Sequence, residues 1–190
     1  MTSGYIPAVR GIPHSGSVPS VKLVSGLLYP ADAPRLYEWA RGELRGLWGE
    51  IERESECFDF GFTDYYKDIS PRLVRVFFSF KGLRPADGLP GWKMSAVETE
   101  ARSGEPRRVN IDPGYIDGAR LVLASTKDNA HRVYISGGIF AEVTLCRRKR
   151  GWESFSYTFP DFAGGLYDEF LETVRLDWRR ETRLLKNMEG

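Results

Sequence analysis

The run from Arg107 to Cys146 constrains the fold most, because it has the pattern of successive short β-strands separated by tight turns. Such turns allow hairpins but leave no room for helical crossovers between parallel strands. Predicted strands and helices alternate before this run, and one long helix follows it. Together these features predict an α+β fold, a single domain with a mainly antiparallel sheet and helices packed on one side.

Apolar periodicity, proline positions and capping signals predict the elements outside this run. The last of them is a long helix in which Asp177 belongs to the solvent-facing side. The predicted elements are a buried strand over Val21–Tyr29, a helix that begins at Ala33 with Asp32 as its cap, an edge strand or loop over Phe58–Tyr66, a strand over Leu73–Phe80, a helix or strand over Trp92–Arg102, a strand near Ser154–Thr158 and the helix over Leu166–Lys186.

Composition is that of one soluble domain, with 42% apolar and 28% charged residues in a chain of 190. Residues 1–20 are rich in glycine and proline and poor in apolar side chains, which predicts a flexible tail before a single domain over residues 21–190. A net charge of +1 excludes a long-range field that would attract nucleic acid or anionic lipid to the whole molecule.

Cysteine usage and hydropathy predict the compartment. The two cysteines, Cys57 and Cys146, have neither zinc-site spacing nor the density of a disulfide-stapled domain, so we expect reduced thiols. The chain begins without the apolar core of a signal peptide, and it has no apolar run long enough to span a bilayer. We therefore expect a cytoplasmic protein that is not inserted in a membrane.

Ionic residues in the strand-rich run mark the first candidate site. Strand alternation places Arg108, Asn110 and Asp112 on one face, where they could line a groove and Asp112 could bind Mg²⁺. The competing interpretation is a turn, in which Pro113 fixes φ, Gly114 permits positive φ and Asp112 binds the backbone of the turn.

A tight turn carries the second candidate group. Lys127, His131 and Arg132 flank this turn and could converge on a phosphate or a carboxylate. Alternatively, they form a solvated hairpin tip in which Lys127 pairs with Asp128.

Two charged residues interrupt apolar strand faces and need partners. Arg75 lies among apolar neighbours and requires a carboxylate or an anionic ligand. Glu142 should pair with Arg75, Arg108 or Arg132, or else act as a general base whose proton affinity is set by burial.

The segment Arg147–Arg150 is the most basic run and lies close to Trp152. It could contact an RNA backbone and stack one base, but the sequence favours a positively charged hairpin turn in solvent. Zinc signatures and the serine-hydrolase elbow are missing from the sequence, and His14 and His131 are its two histidines.

The chain resembles a bacterial family of uncharacterised proteins, catalogued as a domain of unknown function, whose hallmark is an Asn-Leu-Asp-Pro-Gly signature. The signature is matched here by Asn110-Ile111-Asp112-Pro113-Gly114. Further matches are Thr63-Asp64-Tyr65-Tyr66, the strand around Arg75, Leu121–Tyr134, Gly138–Leu145 and Tyr157–Phe162. The resemblance implies no assigned activity.

Some members of that family carry the label "GTP-binding protein", which the sequence can test. A phosphate-binding P-loop requires Gly-x-x-x-x-Gly-Lys-Ser/Thr, and the chain contains no such string. Thr126-Lys127-Asp128 is similar to the guanine-reading motif of GTPases but lacks one residue of it. We therefore expect no classical GTPase.

The leading functional prediction is a cleft that binds a small phosphorylated ligand or nucleotide with Mg²⁺. The alternative is a non-catalytic module that binds RNA or a protein partner through Arg147–Arg150 and Phe58–Tyr66. In the leading prediction the anion is held by Arg75, Arg108, Asn110, Lys127 and Arg132, the metal by Asp112, and a proton is moved by Glu142 or His131.

Overall fold

The computed structural model describes residues 18–62, 66 and 69–189. These residues form an antiparallel sheet and four α-helices, which confirms the predicted α+β class. The strands are β1 (Ser20–Pro30), β2 (Ile51–Glu54), β3 (Phe58–Phe60), β4 (Leu73–Phe80), β5 (Arg84–Pro85), β6 (Asn110–Ile116), β7 (Arg120–Ser125), β8 (Val133–Ser136), β9 (Ile139–Arg148) and β10 (Gly151–Ser154). The helices are α1 (Pro34–Trp48), α2 (Leu89–Arg102), α3 (Pro160–Ala163) and α4 (Asp168–Glu189).

The main path of the sheet runs β10-β9-β7-β6-β1-β4-β2. Strands β3, β5 and β8 pair with β4, β1 and β9 beside this path. The pairs β6–β7 and β9–β10 are antiparallel neighbours in sequence, as the predicted hairpins require. Strand β8 does not lie between β7 and β9, because β7 pairs directly with β9.

Helices cover both faces of the sheet. Leu23 and Leu27 of β1 pack in one core cluster with residues of α1 and α2, whereas Val24 packs in a second cluster with residues of α4. The expectation that all helices lie on one side is therefore wrong. Strands β1 and β4 are mainly apolar on both faces, and a strand of that kind is stable only when both faces are covered.

Strand β4 has the predicted bounds, and its two faces contact different core clusters, as alternation requires. The predicted strand near Ser154–Thr158 is wrong. After β10 the chain turns, and Phe155 N donates to Thr158 Oγ1 over 2.9 Å. No side chain caps α1, so the predicted Asp32 cap is also wrong.

Helix α4 buries a residue that the sequence placed in solvent. Asp177 is 2% exposed and accepts a hydrogen bond of 2.8 Å from Arg53 Nε. This contact ties α4 to β2, and the polar residue becomes buried because it has a cationic partner there.

Several expectations concern residues beyond this description. The predicted tail lies outside the described residues up to position 17, and β1 already begins at Ser20. Most of the quoted match over residues 63–66 also lies outside them.

Among the described helices, none has the length and apolarity needed to cross a membrane. Cys57 and Cys146 form no disulfide.

Candidate functional site

A cleft opens within the sheet, where β6 and β7 separate. Their pairing comprises three residue pairs and stops at Gly114 opposite Leu123. A Cβ atom on Gly114 would lie 2.2 Å from the carbonyl oxygen of Val122, so only glycine permits the approach of the two strands. The preceding residue, Pro113, has no N–H to donate to a ladder. The Pro-Gly pair of the signature therefore lies where the two strands separate.

Side chains of α2 stabilise the open edge of β6. Glu100 Oε1 accepts a 2.8 Å hydrogen bond from the N–H of Ile111. Lys93 Nζ donates over 2.8 Å to the carbonyl oxygen of the same residue. These are backbone groups that a neighbouring strand would otherwise bind, so a helix satisfies the edge that β7 leaves unpaired.

The cleft encloses a cavity of about 640 Å³, which lies within the usual range for small-molecule sites. Its lining combines charged side chains from several elements with an apolar wall. The lining residues are Tyr66, Arg75, Lys93, Val97, Glu100, Arg107, Asn110, Asp112, Leu123, Ala124, Ser125, Thr126, Lys127, Asn129, His131, Arg132, Glu142, Thr144, Tyr157, Phe159 and Phe162.

One set of charged residues, the β6 cluster, consists of Lys93, Glu100, Arg107, Asn110 and Asp112. Arg107 Nη1 donates to Glu100 Oε2 over 2.6 Å and to Asn110 Oδ1 over 3.2 Å. Asn110 Nδ2 donates to Asp112 Oδ2 over 2.8 Å. Lys93 Nζ lies 3.5 Å from Asp112 and 3.8 Å from Glu100. The cluster is thus a connected network that alternates in charge.

The charges around the β6 cluster shift its two carboxyl groups in opposite directions. Burial acts to raise the pKa of Asp112, but Lys93 and Arg75 outweigh it, and the pKa lies below its ordinary value. Burial raises the pKa of Glu100 above its ordinary value, although Lys93 and the N–H of Ile111 act in the other direction. Asp112 is therefore the more firmly ionised of the two groups.

Arg75 lies beside the β6 cluster and is 4% exposed. It forms an ion pair with Asp161, which also accepts a 2.9 Å hydrogen bond from Tyr167. Its second carboxylate, Asp112, is 3.7 Å away. The guanidinium also lies 4.5 Å from the ring centroid of Phe60. The sequence required a carboxylate or an anion for Arg75, and Asp161 is the carboxylate.

A second set, the β9 cluster, consists of Ser125, Lys127, His131, Arg132 and Glu142. Glu142 Oε2 lies 3.0 Å from His131 Nε2 and 2.9 Å from Arg132 Nε. Arg132 Nη1 donates to Ser125 Oγ over 2.7 Å and to the carbonyl oxygen of Lys127 over 3.3 Å. Arg132 Nη2 has no hydrogen bond to any described residue. The arginine is thus held in one orientation, and Nη2 is its one nitrogen without a described partner.

Aromatic stacking fixes the imidazole of the β9 cluster. The ring of His131 stacks on Tyr157 with centroids 4.6 Å apart and planes inclined by 7°. Tyr157 stacks in turn on Phe155, and its hydroxyl donates to the carbonyl oxygen of Val143 over 3.0 Å. The turn that replaces the predicted strand after β10 supplies this stack.

Most of the residues proposed from sequence lie around this one cavity. They are Arg75, Asn110, Asp112, Lys127, His131, Arg132 and Glu142. Of the three arginines considered for Glu142, Arg132 is its partner.

Arg108 does not line the cavity and lies exposed on the surface. Strand β6 begins only at Asn110, so strand alternation cannot be extended back to residue 108. Arg107 takes the place that was expected for Arg108.

Three further groups that complete the site, namely Lys93, Glu100 and Asp161, were not among the residues predicted for it. Lys93 and Glu100 belong to a segment that was left open between helix and strand, and the helix spacing of seven residues places both toward β6. Asp161 follows a proline at the start of α3, where a carboxylate is ordinary, so no sequence signal linked it to Arg75.

Binding of Mg²⁺ by Asp112 stays a prediction, and the charges around this carboxylate do not favour it. Two cations, Lys93 and Arg75, lie within 3.5 and 3.7 Å of its oxygens and would repel a divalent ion. Among the described residues there is no group of three or more metal-ligating side chains either.

Two arginines of the basic segment Arg147–Arg150 already form ion pairs within the protein. Arg147 Nε lies 2.8 Å from Glu172, and Arg148 Nε lies 3.1 Å from Glu153. Binding of RNA or of a protein through this turn and the segment 58–66 stays a prediction, and these ion pairs do not favour it.

Comparison with known proteins identifies a family. Residues 19–178 match the family described as Domain of unknown function (DUF4416). No curated protein and no solved structure matches the chain. The match begins one residue before β1 and ends within α4, so it includes both clusters and the cavity between them. The chain therefore belongs to the DUF4416 family of domains of unknown function.

Proposed function

We propose that the cavity binds a small phosphorylated metabolite whose anionic group is held by the β9 cluster. The observation that carries this proposal is the state of Arg132. Glu142 and Ser125 hold two of its nitrogens, and Nη2 faces no described partner. A pre-oriented guanidinium whose Nη2 still has two N–H bonds to donate is suited to a phosphate, because hydrogen bonds between charged groups are strong.

The distribution of charge supports an anion at this end of the cavity. Two cationic side chains of the β9 cluster, Lys127 and Arg132, line this end of the cavity beside the carboxylate of Glu142. Around the β6 cluster, by contrast, three cations face three carboxylates among the described residues. The cations are Arg75, Lys93 and Arg107, and the carboxylates are Glu100, Asp112 and the Asp161 partner of Arg75.

Nucleotides belong to the proposed ligand class, but the chain lacks a glycine-rich phosphate loop. A nucleotide would therefore be held by side chains of the β9 cluster and not by backbone N–H groups. The neighbouring cations at Asp112 support binding that does not depend on Mg²⁺.

Glu142 has a positioning role in this proposal and is not the general base. His131 and Arg132 both contact Oε2, and Thr144 donates to Oε1 over 3.3 Å. His131 Nδ1 makes no hydrogen bond to a described residue. If the ligand is a substrate, His131 is the group of this cluster that can exchange a proton with it.

Thermal shift and calorimetry with a ligand panel test the proposal. The panel contains inorganic phosphate, sugar phosphates, nucleotides and their unphosphorylated counterparts, each with and without Mg²⁺. We expect phosphorylated compounds to raise the Tm of the protein without the metal. Arg132→Gln should remove the shift, whereas Arg150→Gln, an equal loss of charge on the exposed β9–β10 turn, should retain it.

Two outcomes contradict the proposal. One is a flat response to all phosphorylated compounds, and the other is an unchanged response in Arg132→Gln. Should Arg132→Gln fold poorly because it leaves Glu142 with fewer partners, Lys127→Ala tests the same cluster from an exposed position.

A further inference from the structure

We infer that the ligand is a polyol or sugar phosphate, whose hydroxyl groups bind the β6 cluster while its phosphate binds the β9 cluster. This inference rests on the proposed function and adds the chemical class of the ligand. Both clusters line the same cavity, so one molecule can contact both.

The balance of charge at the β6 cluster selects against ionic groups there. A carboxylate or a second phosphate would meet Asp112 and Glu100, and an ammonium group would meet Lys93 and Arg75. Each would lose more in desolvation and repulsion than it gains from its partners. A neutral polar group encounters no such penalty.

Unused hydrogen-bonding capacity at the β6 cluster matches hydroxyl groups. The carboxylate of Asp112 is 27% exposed and accepts one hydrogen bond shorter than 3 Å, from Asn110. Lys93 donates one hydrogen bond, to Ile111 O, and its ammonium group has two further protons. A hydroxyl group can donate to Asp112 and accept from Lys93 at the same time, since the two groups are 3.5 Å apart.

Carboxylates that accept from the hydroxyl groups of a sugar are a common mode of recognition. The remaining wall of the cavity is apolar and suits the C–H groups of a carbon skeleton. It includes Val97, Leu123, Phe159 and Phe162. A hydroxylated chain thus finds polar contacts on one side and an apolar surface on the other.

Calorimetry with matched pairs of phosphate esters tests the inference. The hydroxylated probes are glycerol 3-phosphate, ribose 5-phosphate and glucose 6-phosphate. Their counterparts without hydroxyl groups on the chain are propyl, pentyl and hexyl phosphate. We expect at least one hydroxylated probe to bind about 10-fold more tightly than its counterpart, because hydrogen bonds to charged groups are worth that much.

Variants of the β6 cluster test which residues produce the preference for hydroxylated phosphate esters. Asp112→Asn should reduce the ratio between the paired probes to roughly 3-fold or less, since the neutral amide is a weaker acceptor. Glu98→Gln makes the same chemical change on the exposed side of α2 and should leave the ratio as it is. If Asp112→Asn lowers the Tm too far, Asn110→Ala removes the supporting amide and should also reduce the ratio.

The outcomes separate this inference from the proposed function. Equal affinity for the paired probes, or a ratio that survives Asp112→Asn, overturns the inference and leaves phosphate binding standing. Failure of every phosphorylated probe overturns the proposed function itself. Loss of affinity for both members of a pair in Arg132→Gln supports the division of roles between the two clusters.

Discussion

Two lysines are buried beside pairs of carboxylates in this protein, and their surroundings differ. Lys22 in β1 is 0% exposed and lies 2.5 Å from Glu52 and 2.5 Å from Glu181. Lys93 in α2 is 5% exposed, but its carboxylates are 3.5 and 3.8 Å away. Only Lys93 lines the cavity.

The difference shows how the same residue types are enclosed in one place and border a cavity in another. Around Lys22, α4 covers β1 and Glu52 approaches from β2 of the same sheet, and Arg180 lies 3.5 Å from Glu52. Around Lys93 the sheet is open, because β7 has left β6. A fully buried cation that is closely paired is not accessible to a ligand, whereas a loosely paired one beside a cavity can donate to it.

Replacement of Lys22 should have the largest effect on stability. Lys22→Met leaves Glu52 and Glu181 close together without their cation, and we expect a loss of about 4 kcal/mol in the free energy of unfolding. Urea denaturation measures this loss. Lys81→Met breaks an exposed pair with Glu50 and should change little. Similar midpoints for the two variants would show that the Lys22 cluster is not a structural clamp.

Gly114→Ala tests why a cavity exists beside Lys93 and not beside Lys22. The new Cβ would meet a backbone oxygen at 2.2 Å, so we expect a loss of roughly 2–3 kcal/mol and weaker ligand binding as β7 shifts. Gly42→Ala on α1 meets no atom within 4 Å and should stabilise by up to ~1 kcal/mol. A neutral effect of Gly114→Ala would contradict the close approach of the two strands.

Lys93→Met should lower the free energy of unfolding less than Lys22→Met does. It should weaken ligand binding more. Its carboxylates keep partners in Arg107 and Arg75, so the expected loss is about 2 kcal/mol, mainly for the unpaired carbonyl of Ile111. Calorimetry at a temperature where both variants are folded should show the preference for hydroxylated phosphate esters in Lys22→Met and a reduced preference in Lys93→Met. The reverse pattern would place the ligand elsewhere.

The smallest effect concerns acid stability. Because the folded-state pKa of Asp112 lies below its ordinary value of 3.8, its ionisation stabilises the fold above that pH, and this contribution disappears as the pH falls through the folded-state pKa. We expect the free energy of unfolding of the native chain to be ~1 kcal/mol higher than that of Asp112→Asn at neutral pH. The gap should narrow below about pH 4, where urea midpoints measure it. A gap that stays constant down to pH 2 would contradict the lowered pKa.

Local periodicity was sufficient to predict those features that depend only on the direction of side chains along one element. The two faces of β4 follow from strand alternation, which also required a partner for Arg75. The signature placed Asn110 and Asp112 on one face of β6, where both line the cavity. These features depend on residues two apart in sequence, and backbone geometry alone fixes their direction.

The sequence by itself determined the α+β class, most strands and the ionic character of one region. Only the tertiary structure decided that helices cover both faces, that Asp161 is the partner of Arg75, and that Lys93 and Glu100 replace a missing strand beside Ile111. Where a ladder stops and which helix fills the gap depend on contacts between residues far apart in the chain. A periodic pattern records the direction of a side chain, but it contains no information about what that side chain will meet.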